Sequence, residues 1–245
     1  MADGAAQQVR GERVFYLAFV AAAWAAVVVG FQPSVTQRWR GAAEYPAPLI
    51  LELHVAAVTA WLVLLTVQAL LINRRQPALH RRLGIAAFVL IPAIIVTALG
   101  AEVYSQRFFS PKYAENLRFF IAPLMEMLAF AIAATLAVAK RRNAATHKRL
   151  ILVATAVLLT AAYARWWGDP LYRAFGDGLG GMIIHNFAGP NLLVALAAAH
   201  DWWRSRRIHA VYRAAIPALL GGEVFASLVY HNDAWPMMAR RLVGL

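Results

Sequence analysis

The sequence contains no cysteine. Disulfides, thiolate metal sites, iron–sulfur clusters and cysteine nucleophiles are therefore excluded. Lysine is almost as scarce, since Lys112, Lys140 and Lys148 are the only three and all fall between apolar runs. A retinal Schiff base of the kind held in the last span of microbial rhodopsins thus has no attachment point. Charged residues make up 15% of the chain, against about 25% in an ordinary soluble domain. No glycine-rich phosphate loop opens a helix and no serine sits in a nucleophile-elbow setting, so nucleotide use and serine hydrolysis have no support.

What is present is apolar: 61% of the 245 residues are hydrophobic. Runs long enough to cross about 30 Å of hydrocarbon as helix occur near residues 14–31, 49–72, 83–104, 117–139, 150–167, 179–200 and 211–230. The connections are too short to fold independently, so residues 1–245 read as one transmembrane domain in the lipid bilayer. The first run, Val14 to Phe31, exceeds a signal-peptide core and lacks a small-x-small cleavage site, so it reads as a retained span.

The net charge of +12 does not indicate a nucleic-acid partner, because the basic residues form short clusters between spans. Arg10 and Arg13, then Arg74, Arg75, Arg81 and Arg82, then Lys140, Arg141, Arg142, Lys148 and Arg149, then Arg204, Arg206, Arg207 and Arg213 fall on one side. Glu44, Glu102, Glu115, Asp169, Asp177 and Asp233 fall on the other. The positive-inside rule then places the N-terminus in the cytoplasm and the C-terminus outside.

Two of the basic turns share a pattern. Residues 73–83 (NRRQPALHRRL) align with residues 140–150 (KRRNAATHKRL) at six of eleven positions, His80 with His147 among them. The expected architecture is an all-α bundle of about seven helices, one leading helix followed by three hairpins. Selection of Arg and His by any short cytoplasmic turn is the competing explanation of the pattern.

Ionisable residues within the spans concentrate toward the outer side. Glu52, His54, Glu102, Glu126, Arg165, His185, Glu223 and His231 lie at or near that level, with Tyr104, Tyr163, Asn186 and Tyr230. Each is costly in lipid, about 2.5–3.5 kcal/mol for a charge at a helix centre, so the layer predicts a polar pocket opening outward. Snorkelling of each side chain to the interface is the alternative. In the second span His54, Trp61 and Gln68 recur at intervals of seven and share a face. In the sixth, Gly181, His185 and Gly189 recur at intervals of four, leaving bare backbone for another helix or a flat ligand.

Three chemistries suit these residues. His54 and His185 could be axial ligands of a b-type haem, with Trp61 and Gln68 beside it, in an electron-transport protein serving a quinone or another membrane redox protein. His80 and His147 are the residues available for a second pair near the inner face. His54, Glu126, His185 and Glu223 could instead bind zinc or another divalent metal in a membrane hydrolase, although the His-x-x-x-His pair of seven-span ceramidase-like hydrolases is missing. Third, Glu126 and Glu223 could line a cofactor-free site for a quinone, lipid, small solute or transported proton.

The stretch His54-x6-Trp61-x6-Gln68, with Leu79-His-Arg-Arg-Leu-Gly84 and Thr146-His-Lys-Arg-Leu150 after it, resembles a group of bacterial inner-membrane proteins of unassigned activity. That resemblance implies a polytopic protein of the bacterial inner membrane. The chain is more faintly similar to transmembrane b-type cytochromes, from which it departs by lacking a clear four-histidine ligand set.

Overall fold

The computed structural model describes residues 2–113 and 116–245, with side chains from Gly11 onward. Of the residues used above to orient the chain, Glu115 and the Arg10 side chain lie outside what is described. Helix α1 spans Ala2–Trp39 and extends beyond the first apolar run at both ends. It is followed by α2 (Leu49–Asn73) and by the short α3 (Pro77–Leu83), which passes through a single 3-10 turn into α4 (Ala87–Phe109). Next come α5 (Asn116–Phe119), α6 (Ile121–Ala139), α7 (Ala144–Leu158), α8 (Thr160–Phe175), α9 (Leu179–Ser205), α10 (Ala210–Tyr230) and α11 (Trp235–Leu242).

Local chemistry sets the breaks. Pro48 is extended and starts α2, while Arg75 at φ 57° turns the chain out of it. The Asn143 side chain accepts the Thr146 backbone N–H at 3.1 Å and starts α7. The expected span at residues 150–167 is instead two helices, α7 and α8, meeting at 50°. At that bend the Thr160 hydroxyl donates to the Val157 carbonyl at 2.7 Å, taking an acceptor that a continuous helix would use for its own backbone.

Six helical segments are long and apolar enough to cross a membrane, and there are seven where the bent pair α7–α8 counts as one span. The protein is thus a multi-pass integral membrane protein, all-α among its described residues. Helix α2 packs on α4, α6 on α7 and α9 on α10, giving the three hairpins, while α1 lies against α8 and α2. All three hairpin turns carry the basic clusters, so the molecule has a basic end and an opposite end.

The core is built for close approach. Ala23, Ala26, Ala134, Ala154 and Ala156 are fully buried between helices, with Trp61, Phe130 and Leu159 filling the larger gaps. A smaller cluster of Leu117, Phe120, Met182, Ala226, Trp235 and Val243 joins α5 and α11 to the opposite end. Around both, Val28, Val55, Val89, Val96, Leu196 and Phe225 point outward. Such a surface is costly in water and costs nothing against lipid tails.

Candidate functional site

Between α6, α7, α9 and α10 lies a partly open cavity of about 560 Å³, whose lining residues Leu128, Ile132 and Leu136 are exposed on the side of the bundle. It exists because the helices facing it present small residues: Ala129 and Ala133 from α6, and Ala214, Ala215, Ala218 and Gly222 from α10. On α6 its wall runs from Met125 to Lys140, which at 1.5 Å per residue is about 22 Å along the helix axis. The wall is apolar for most of that length and polar at its extremities. Lys140 and Thr146 stand at the basic end, and Glu126, Asn191 and Glu223 at the other.

Glu223 is buried, and one carboxylate oxygen accepts the Asn191 Nδ2–H at 2.8 Å across the α9–α10 hairpin. Glu126 has a different set of neighbours. Arg165 of α8 lies within electrostatic reach of both Glu126 and Glu102 of α4, beyond direct ion-pair distance of either. Arg165 also donates to the Ala161 carbonyl at 2.9 Å and lies 4.7 Å from the centre of the Phe31 ring. Glu102 accepts from Gln106 at 2.7 Å, and Gln106 in turn accepts from Asn116 at 2.9 Å. The structure therefore gathers Glu102, Glu126 and Arg165 from three helices and places Glu126 and Glu223 in one groove.

The histidines have other surroundings. His54 Nδ1 is 3.3 Å from Thr97 Oγ1, and that hydroxyl donates to the Ala93 carbonyl at 2.6 Å, so the imidazole N–H donates to Thr97. His185 meets the Tyr172 ring edge-on at 5.5 Å. The helix of His54 packs on α1 and α4, whereas that of His185 packs on α8, α10 and α7. Among the described residues no three His, Asp or Glu side chains are placed to share a metal ion. The set His54, Glu126, His185 and Glu223 is thus not assembled as one ligand cluster.

The residues expected beside a flat cofactor each have protein partners. Trp61 is buried, donates from Nε1 to Thr155 Oγ1 at 3.1 Å and meets Phe130 edge-on at 5.4 Å. Gln68 donates to the His80 carbonyl at 3.0 Å. The stripe of α2 faces protein as expected, and its three members make one hydrogen bond each to α4, α7 and α3. On α9 a Cβ at Gly189 would fall 2.1 Å from Tyr163 Cγ, and one at Gly181 would fall 2.2 Å from the Gly176 carbonyl oxygen. Both glycines admit neighbouring protein.

The end opposite the basic turns binds the structure to itself. His231 contacts the Ser227 and Asp177 carbonyls at 2.7 Å each, Arg118 pairs with Asp233 at 2.8 Å, and Asn186 donates to the Met182 carbonyl of its own helix. Glu52 is exposed. Reading the sequence missed Asn191, Thr97, Thr155 and Gln106, which are neutral and give no charge signal in an apolar run. The step of four from Phe187 to Asn191 on α9 was the trace that could have exposed the groove-facing amide. No family model, curated protein or solved structure matches this chain.

Proposed function

We propose that the protein binds a membrane-soluble amphiphile, a long-chain lipid or a quinone in its quinol form, in the groove between α6, α7, α9 and α10. The observation that carries this reading is the groove's shape and polarity together: a side opening and about 22 Å of apolar wall ending on two carboxylates. That length is most of the thickness of a bilayer's hydrocarbon core. A ligand entering sideways from the bilayer keeps its chain desolvated throughout, so the affinity difference rests on its head group.

Glu126 and Glu223 offer acceptors, and Asn191 offers both an acceptor and a donor already engaged with Glu223. A hydroxyl, phenolic or amine head group suits this end. A phosphate or free carboxylate would add a further acidic group beside two carboxyls, with no cation lining this end of the groove to receive it. Arg165 beside Glu126 gives a proton exchanged with the ligand a charged neighbour on the side away from the groove.

The test is photolabelling of the protein in lipid vesicles with a diazirine-bearing hexadecanol and, in parallel, the matching palmitate. The alcohol should label residues of α6 and α10 more strongly than the acid. Ala218→Trp, which fills the groove, should abolish the labelling, and Glu223→Gln should weaken it about tenfold, the worth of one hydrogen bond. Labelling that is indifferent to Ala218→Trp would mark ordinary annular lipid and overturn the assignment.

A further inference from the structure

The two repeated basic turns bring their equivalent histidines together, away from the groove's carboxylates. His80 of α3 and His147 of α7 have ring centres 6.4 Å apart, with planes at 85°. His147 Nδ1 lies 2.8 Å from the Ala137 carbonyl oxygen. A carbonyl only accepts, so Nδ1 carries the proton and Nε2 keeps its lone pair in the neutral ring. Metal-binding histidines are held in this way, one ring nitrogen donating to a carbonyl and the other left basic.

Opposite it, the Nδ1 of His80 is buried without a hydrogen-bond partner, and so is the Gln68 side-chain oxygen. The Gln68 amide nitrogen donates to the His80 carbonyl, which holds that side chain against the same turn. Two orphaned polar atoms in one small cluster call for an occupant, because buried groups of this kind are normally satisfied.

We propose that His80 and His147, with the Gln68 oxygen as a further donor, bind a late first-row transition-metal ion at the basic end. Neutral imidazoles and an amide oxygen suit copper, nickel or zinc far better than calcium or magnesium, and the affinity order favours copper. Lys148 pairs with Glu12 and Arg149 with Asp201, so both charges on α7 are matched, and Arg81, Arg82, Lys140, Arg141 and Arg142 are exposed to solvent, which screens their repulsion of a bound cation. The repeat in the sequence then has a reason beyond topology, since each copy supplies one imidazole.

The test is equilibrium loading of the full chain, purified in detergent on a histidine-free tag, with copper(II) and separately with zinc(II). One ion per chain is expected. His80→Ala and His147→Ala should each weaken binding at least tenfold, with His54→Ala and His231→Ala unchanged. The copper form should show electron-paramagnetic coupling to two imidazole nitrogens, a readout on the unaltered protein that stands even where a variant does not fold. A copper spectrum without nitrogen coupling, or equal loading of the His80→Ala/His147→Ala double variant, would overturn the site. Groove labelling by the hexadecanol probe is independent of either result.

Discussion

Tyr163 lies across Gly189 so closely that a Cβ at position 189 would sit 2.1 Å from Cγ, 2.4 Å from Cβ and 2.6 Å from Cδ1 of the tyrosine. These atoms are at the root of the side chain, so rotation of the ring cannot relieve them. Gly189→Ala must therefore push α8 away from α9, the two most extensively packed helices of the bundle. Overpacking of this kind costs about 1–3 kcal/mol. Thermal unfolding in detergent should show that loss in an otherwise unaltered chain. In a Tyr163→Gly background, which removes all three contacts, Gly189→Ala should be harmless or mildly stabilising through its better helix propensity. Equal penalties in both backgrounds would show that the contact does not set the helix spacing.

His209 makes α10 sensitive to pH. Its Nδ1 accepts the Val211 backbone N–H at 3.2 Å and caps the helix, which requires the neutral ring. Burial holds its pKa below the usual imidazole value, the Arg149 cation adds to that depression, and Asp201 partly opposes it. A depressed folded-state pKa means that the stabilising contribution is complete above the unfolded-state value, about 6.5. It is lost as the pH falls from there through the lower folded-state pKa. The protection factors of the first-turn amides of α10, which remove the intrinsic pH dependence of exchange, should fall over that window. His209→Asn keeps a cap at every pH and should remove that fall, whereas His209→Ala should lose about 1 kcal/mol even at neutral pH. First-turn protection factors that stay constant across the window in the native chain would refute the capping role.

The sequence exposed the bundle more fully than the site, for a physical reason. An apolar run in lipid has one low-energy conformation, so helix positions follow from run length; α2 and α10 each depart from their expected bounds by a single residue at one end. The bend at Leu159 was invisible because Thr160 interrupts the backbone ladder without interrupting hydropathy. Polar residues at matched depth were legible as a layer, but depth does not give azimuth. Glu126 and Glu223 face a common groove, His54 turns to Thr97, and His185 turns to Tyr172. The groove itself is a lack of side-chain volume at Ala129, Ala133, Ala218 and Gly222. In an alanine-rich chain such positions look like ordinary helix packing.

Arg149 and Asp201 give the basic end its one buried charge pair among the described residues. Both side chains are largely shielded, and the guanidinium reaches both carboxylate oxygens at 2.6 Å, joining α7 to α9. Tyr16 and Tyr212 flank the pair, so neither charge has easy recourse to water. Removing one partner should therefore cost much more than the pair contributes as a whole. Asp201→Asn leaves an uncompensated guanidinium and should lose about 3–5 kcal/mol. Replacing both, as Arg149→Met with Asp201→Leu, removes the desolvation burden together with the attraction and should recover most of that loss. Unfolding of the three variants in detergent compares the two costs directly. If the double variant is as unstable as Asp201→Asn, the pair contributes net attraction beyond repaying its own burial, and the hairpins depend on it for stability as well as for register.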